Sequence, residues 1–195
     1  ISITVEGANI LTRSLMIFGQ GATRCHPYVL AEMEAAGMED ETSALDRFDS
    51  LLLGHMGYAI GNALRSFGSA LTGSRFASAP VSGPTQQYYR DMTRISSSLA
   101  IMTDLSMLIM GGDLKRKEMI SARLGDVLSQ LYIASAILKR YETDGRQVSD
   151  LPYVHYAMQL ALYKAGVAFD GYFQNFRPRW LTKIIQKVIF PFSNP

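Results

Sequence analysis

The chain has 195 residues, enough for one domain or one domain plus part of another, and 48% of them are hydrophobic, enough to bury a core. Its formal charge of +2 is too small to argue for a nucleic-acid partner, and charged residues make up only 18%. The single cysteine, Cys25, excludes an internal disulfide and suits a reducing compartment.

Ile1–Thr4 has neither an initiator Met nor a basic n-region, so no signal peptide is expected, and both ends read as cuts in a longer chain. No apolar run reaches the ~18 residues of a membrane-spanning helix. Residues 1–5 read as a short extended lead-in. Ile10, Leu11, Leu15 and Phe18 repeat at helical spacing over 9–20, with Gly19 and Gly21 as stop signals. His26-Pro27 opens a second helix ending near Gly37. Glu39, Asp40 and Glu41 then precede a long helix over about 42–72, where acidic residues favour the dipole. Its Gly54, Gly57, Gly61 and Gly68 predict close helix–helix approach, because each glycine weakens the helix and packing must compensate.

Residues 73–84, with Gly73, Pro80, Gly83 and Pro84, form the clearest linker. A helix over about 85–110 stops at Gly111-Gly112. Another spans about 114–142 and ends at Thr143-Asp144-Gly145. Asp150-Leu151-Pro152 starts a helix to about 169, and Arg177-Pro178 introduces the last, about 177–190. The expected fold is all-α, a bundle of up-and-down helices.

Several side chains carry a plain reading. His26, His55 and His155 show no metal-ligand spacing, so no metal site is expected, and His26 reads as a turn or packing residue. Cys25 reads as a packed thiol. Lys115, Arg116 and Lys117 read as a solvated helix start, with Arg123 and Asp126 spaced to pair. In the last helix Arg179, Lys183 and Lys187 recur on one face, flanked by Trp180 and Ile184. That pattern suits either a helix docked on its own bundle or one lying on a membrane surface, with these five residues as the contact.

The opening stretch Val5-Glu6-Gly7-Ala8-Asn9-Ile10-Leu11-Thr12-Arg13-Ser14 places a carboxylate and a glycine just before a helix. By pattern alone this is most often a charge favouring the helix dipole, although the placement also suits a general base. The stretch resembles the signature around the catalytic base of acyl-CoA dehydrogenases, matching at Glu6, Gly7 and Arg13 and departing at Val5 and Ala8. Ile17-Phe18-Gly19-Gln20-Gly21-Ala22-Thr23-Arg24-Cys25-His26-Pro27-Tyr28 is similar to the bacterial long-chain branch of that family. So are Gly112-Asp113-Leu114-Lys115-Arg116-Lys117, Ser121–Ser129 and Leu138–Glu142.

The resemblance implies FAD chemistry in fatty-acid β-oxidation. Glu6 would remove the α-proton of a long-chain acyl-CoA, and the Glu6 backbone N–H would polarise the thioester carbonyl. Glu6 and Gly7 would touch substrate; Ala8 and Asn9 would lie toward FAD, most of whose site would be upstream, leaving this stretch alone inactive. It further implies an electron-transfer flavoprotein as acceptor, a homo-oligomer, and a cytoplasmic enzyme resting on the inner membrane. Residues 1–37 would close the dehydrogenase's helical domain, 38–176 would form an appended bundle, and 177–195 the amphipathic contact. The alternative is a non-catalytic helical module for membrane binding or subunit interaction.

Overall fold

A computed structural model of the chain describes residues 3–13 and 20–192. Among the described residues there are helices and turns but no strand, as an all-α bundle requires. Ile3–Gly7 forms a π-helical turn that runs into α1 (Ala8–Leu11), so residues 3–5 of the expected extended lead-in are helical instead. Leu15, Phe18 and Gly19 lie outside the described residues. Gly21 does not stop a helix but begins α2 (Gly21–Cys25), because it lacks the positive φ of a helix-ending glycine.

α3 (Val29–Ala36) stops at Gly37, and α4 (Glu41–Thr72) starts where the Asp40 carboxylate accepts from Ser43 N. Those Ser43 hydrogen bonds hold the Asp40 carboxyl below its usual pKa. α4 ends on Gly73 at φ 58°, the left-handed conformation that favours glycine. α5 (Gln86–Met110) stops at Gly111, a 3₁₀ turn follows over Gly111–Lys115, and α6 is Glu118–Thr143. α7 (Leu151–Asn175) runs six residues past the expected 169, and α8 (Arg179–Ile189) closes the chain. The overrun is paid for by Phe173 and Tyr172, both buried.

α6 and α7 pack along their length, α5 lies on α4 and α6, and α3 on α4. Residues on either side of Gly37 are therefore in direct contact. The core centres on Met102, Leu124, Val127, Phe169, Tyr172 and Phe176. A second cluster at the far end of α6 and α7 holds Leu138, Tyr141, Val154 and Met158. Ser106 Oγ donates to Met102 O at 2.6 Å and lies 2.8 Å from the Tyr172 hydroxyl, so Tyr172 is the donor of that pair. Burial drives the Tyr172 pKa upward, against that hydrogen bond, and the phenol stays neutral.

By length and composition α5 with its following turn, 86–115, is apolar enough to cross a bilayer, contrary to the expectation from uninterrupted runs. One side of it packs in the bundle, with Ser97, Ser98, Met102 and Ser106 buried against its neighbours, while Leu108 on the other side is exposed. α8 is docked by Ile189, which is fully buried, and by Thr182, whose hydroxyl donates to Phe176 O. Arg94 from α5 donates to Ile189 O at 3.1 Å and its guanidinium sits 5.1 Å from the Phe190 ring centroid.

Candidate functional site

Glu6 stands in the first helical turn of the chain's described part, and its side chain is exposed. Among the described residues no hydrogen bond or ion pair engages its carboxylate. Gly7 borders open space: a Cβ there would meet nothing within 4 Å. Ala8 and Asn9 are exposed on the same segment. Arg13, one helical stretch later, ties the segment to the bundle through Asp126 of α6 at 3.0 Å. Arg123 approaches the other Asp126 oxygen at 3.8 Å, the pairing expected from their spacing. Arg123 lies against the bare face of Gly171, where a Cβ would be 2.8 Å from Arg123 Nε.

A second polar group lies where α3, α4 and α5 meet. His26 Nε2 is 2.8 Å from Asp104 Oδ1, and His55 Nε2 is 3.8 Å from the same oxygen. His55 Nδ1 donates to Glu32 Oε1 at 2.9 Å. The two imidazoles are 4.7 Å apart between centroids, with Tyr28 stacked on His55 and Tyr58 edge-on to His26. Gly54 makes room for the Tyr28 ring, since a Cβ there would sit 2.7 Å from Tyr28 Cε1. Nothing in the sequence pattern points to this cluster, because His26, His55 and Asp104 are separated by tens of residues.

His26, His55 and Asp104 each offer a ligand atom, all within 4.8 Å of one another. The donor set does not suit a metal. His26 Nδ1 accepts from the backbone N–H of Tyr28 and of Val29, each at 3.2 Å, so the ring hydrogen sits on Nε2, the atom a metal would need bare. His26 thereby caps α3, which is the turn role expected of it, and presents a donor to Asp104. That donor is not aligned: among the described residues neither His26 Nε2 nor either buried Asp104 oxygen has a directed hydrogen bond. The contact is electrostatic. Beside it opens a cavity of about 500 Å³ with mostly apolar walls, including Val29, Met56, Ile101, Leu105 and Ile185.

Cys25 is exposed rather than packed, because α2 ends at the surface with its last residue outward. Lys115, Arg116 and Lys117 are solvated, as expected of a helix start, and Arg116 lies 3.8 Å from Asp113. In α8, Arg179, Trp180, Lys183, Ile184 and Lys187 are all exposed, while Thr182 and Ile189 face inward. The helix is thus docked by one flank and presents Lys183 and Lys187 beside Trp180 and Ile184 on the other, while Arg179, though exposed, also donates to Phe173 O at 2.8 Å.

No solved structure matches the chain. Residues 23–195 match the family described as acyl-CoA dehydrogenase, C-terminal, bacterial type, a span that begins after the Glu6 segment and takes in α3 through α8. With most of its length inside that match, the chain belongs to the bacterial-type acyl-CoA dehydrogenase C-terminal family.

Proposed function

We propose that the chain is the C-terminal part of a flavin-dependent enzyme that oxidises long-chain acyl-CoA to trans-2-enoyl-CoA in fatty-acid β-oxidation, with Glu6 as the base. The observation that carries this is the family match, read together with an unpaired carboxylate on an open helical edge beside Gly7. Residues 1–37 then belong with the dehydrogenase and 38–176 form the appended bundle.

FAD fits this edge to the extent that the chain's own residues meet it. Gly7 admits a close neighbour, and Ala8 and Asn9 are free on the same segment. When bound, FAD supplies the hydride acceptor. The chain supplies the proton acceptor, the Glu6 carboxylate, which takes the hydrogen from the carbon next to the thioester. The Glu6 backbone N–H, on the same helical turn, is the group assigned to polarise the thioester carbonyl. Arg13 holds this segment against α6 through Asp126. An electron-transfer flavoprotein is the proposed acceptor of the electrons. Anaerobic addition of acyl-CoAs, from medium to long chain, to the intact flavoprotein tests the reading. Flavin bleaching should be fastest with long chains; no bleaching with any chain length would refute it.

The exposed flank of α8 supports a second contact, with the inner membrane surface. Arg179, Lys183 and Lys187 would meet anionic headgroups while Trp180 and Ile184 enter the interface. The intact protein should cosediment with vesicles containing phosphatidylglycerol at low salt and be released at high salt. Lys183→Glu with Lys187→Glu should weaken binding at least ~10-fold. Binding that ignores both salt and the double substitution would remove α8 from this role.

A further inference from the structure

α4 is inside out. Its buried residues are Asn62, Ser66 and Ser69, and Ser66 is hydrogen-bonded to Ser98 of α5 at 2.8 Å. Leu53, Met56, Ile60, Leu64, Phe67 and Leu71, spaced three or four residues apart and so on one face, are 39–69% exposed. At 1.5 Å per residue they form a stripe about 27 Å long. Gly57, Gly61 and Gly68 run along its shoulder, and a Cβ at any of them would meet nothing within 4 Å. Nothing within the described residues compensates for three residues that weaken a helix. The stripe exposes on the order of several hundred Å² of apolar surface, the scale of one partner's share (~800 Å²) of a standard interface.

We infer that this stripe is the contact between two copies of the chain, their α4 helices antiparallel about a two-fold axis near Ile60 and Gly61. A two-fold contact requires a surface that fits itself, and this one does. Setting Ile60 level with Gly61 of the second copy also sets Leu53 level with Gly68 and Leu64 level with Gly57. Each large side chain then meets a position without one, which lets the two backbones approach closely. Charge selects the same direction. Asp46 and Asp49 lead the stripe at its N-terminal end, and exposed Arg75 follows its C-terminal end. Antiparallel pairing brings Asp46 toward Arg75, whereas parallel pairing would set acid against acid. Antiparallel, side-by-side helix dipoles favour it as well.

Sedimentation velocity of the intact protein at micromolar concentration tests this. The wild type should contain an even number of chains. Leu53→Glu with Leu64→Glu should halve the assembly and raise its dissociation constant at least ~100-fold. Helicity should not change, since both side chains are exposed in the single chain, and Tm should fall only by what dimerisation contributes, a difference that vanishes on dilution. Gly57→Leu with Gly61→Leu should have the same effect by filling the notches while strengthening the helix. In a Cys25→Ser background, Leu53→Cys with Gly68→Cys should give a disulfide-linked dimer under mild oxidation. A wild type that sediments as one chain overturns the proposal, as does an assembly indifferent to both double variants. A single chain whose Tm falls on Leu53→Glu with Leu64→Glu also overturns it, because another stretch of the same polypeptide then covers the stripe.

Discussion

Glu6→Gln in the intact enzyme is expected to lower acyl-CoA dehydrogenation by ~10²–10⁴-fold, the range for loss of a general base, while flavin content and acyl-CoA binding stay near wild type. The amide matches the carboxylate in shape but cannot hold the abstracted proton. Any residual rate would come from binding and carbonyl polarisation, which the backbone N–H of residue 6 still provides. The Glu6 carboxylate is exposed and unpaired among the described residues, so the change breaks no hydrogen bond or ion pair of the fold. Stability should therefore be unaffected, and a fall in rate can be read as chemistry. Turnover close to wild type in a properly flavinylated Glu6→Gln enzyme would take the base assignment away from this residue.

Phe169→Ala should produce the largest loss of stability in the bundle, about 3–5 kcal/mol, the range for truncating a buried aromatic. Phe169 is fully buried on α7 and has Phe173 and Phe190 as ring neighbours at 6.2 and 5.8 Å. It therefore joins α7 to the chain's end beyond α8. Its removal costs the transfer free energy of the ring and leaves a cavity whose walls, fixed on several helices, relax only in part. For a chain of this size the expected fall in Tm is roughly 6–20 °C. Urea unfolding followed by circular dichroism measures it. Phe76→Ala, at an 88% exposed side chain, is the control and should stay within ~0.5 kcal/mol. Equal effects at the two positions would contradict the placement of the core.

Residues that act on near neighbours in sequence were read correctly from the chain. The acidic stretch around Asp40 marks the start of α4, Gly111 stops α5, and Arg123 pairs with Asp126, because helix-end charges, glycine stops and i,i+3 pairs need only local geometry. The all-α architecture followed from hydrophobic spacing, which is a local property too. The opening segment differs from expectation at residues 3–5 and at Gly21, because a short apolar stretch does not distinguish extended from helical backbone and a glycine is as compatible with a helix start as with a stop.

The family and the candidate base came from the amino-acid order itself, whereas what surrounds each side chain was decided by tertiary contact. His26, His55 and Asp104 meet only because α3 and α5 both pack on α4, and their separation along the chain leaves no periodicity to detect. The glycines of α4 looked equivalent in sequence. The fold gives Gly54 to Tyr28 and leaves Gly57, Gly61 and Gly68 open, because only one side of that helix faces the bundle. The same holds for α8: its residues determine that it is amphipathic and basic, but which flank Ile189 draws inward and which leaves Trp180 and Ile184 in solvent depends on the pocket that Arg94 and Phe169 build for it. A helix carries its pattern in its sequence; the orientation of that pattern is fixed by the surface it is packed against.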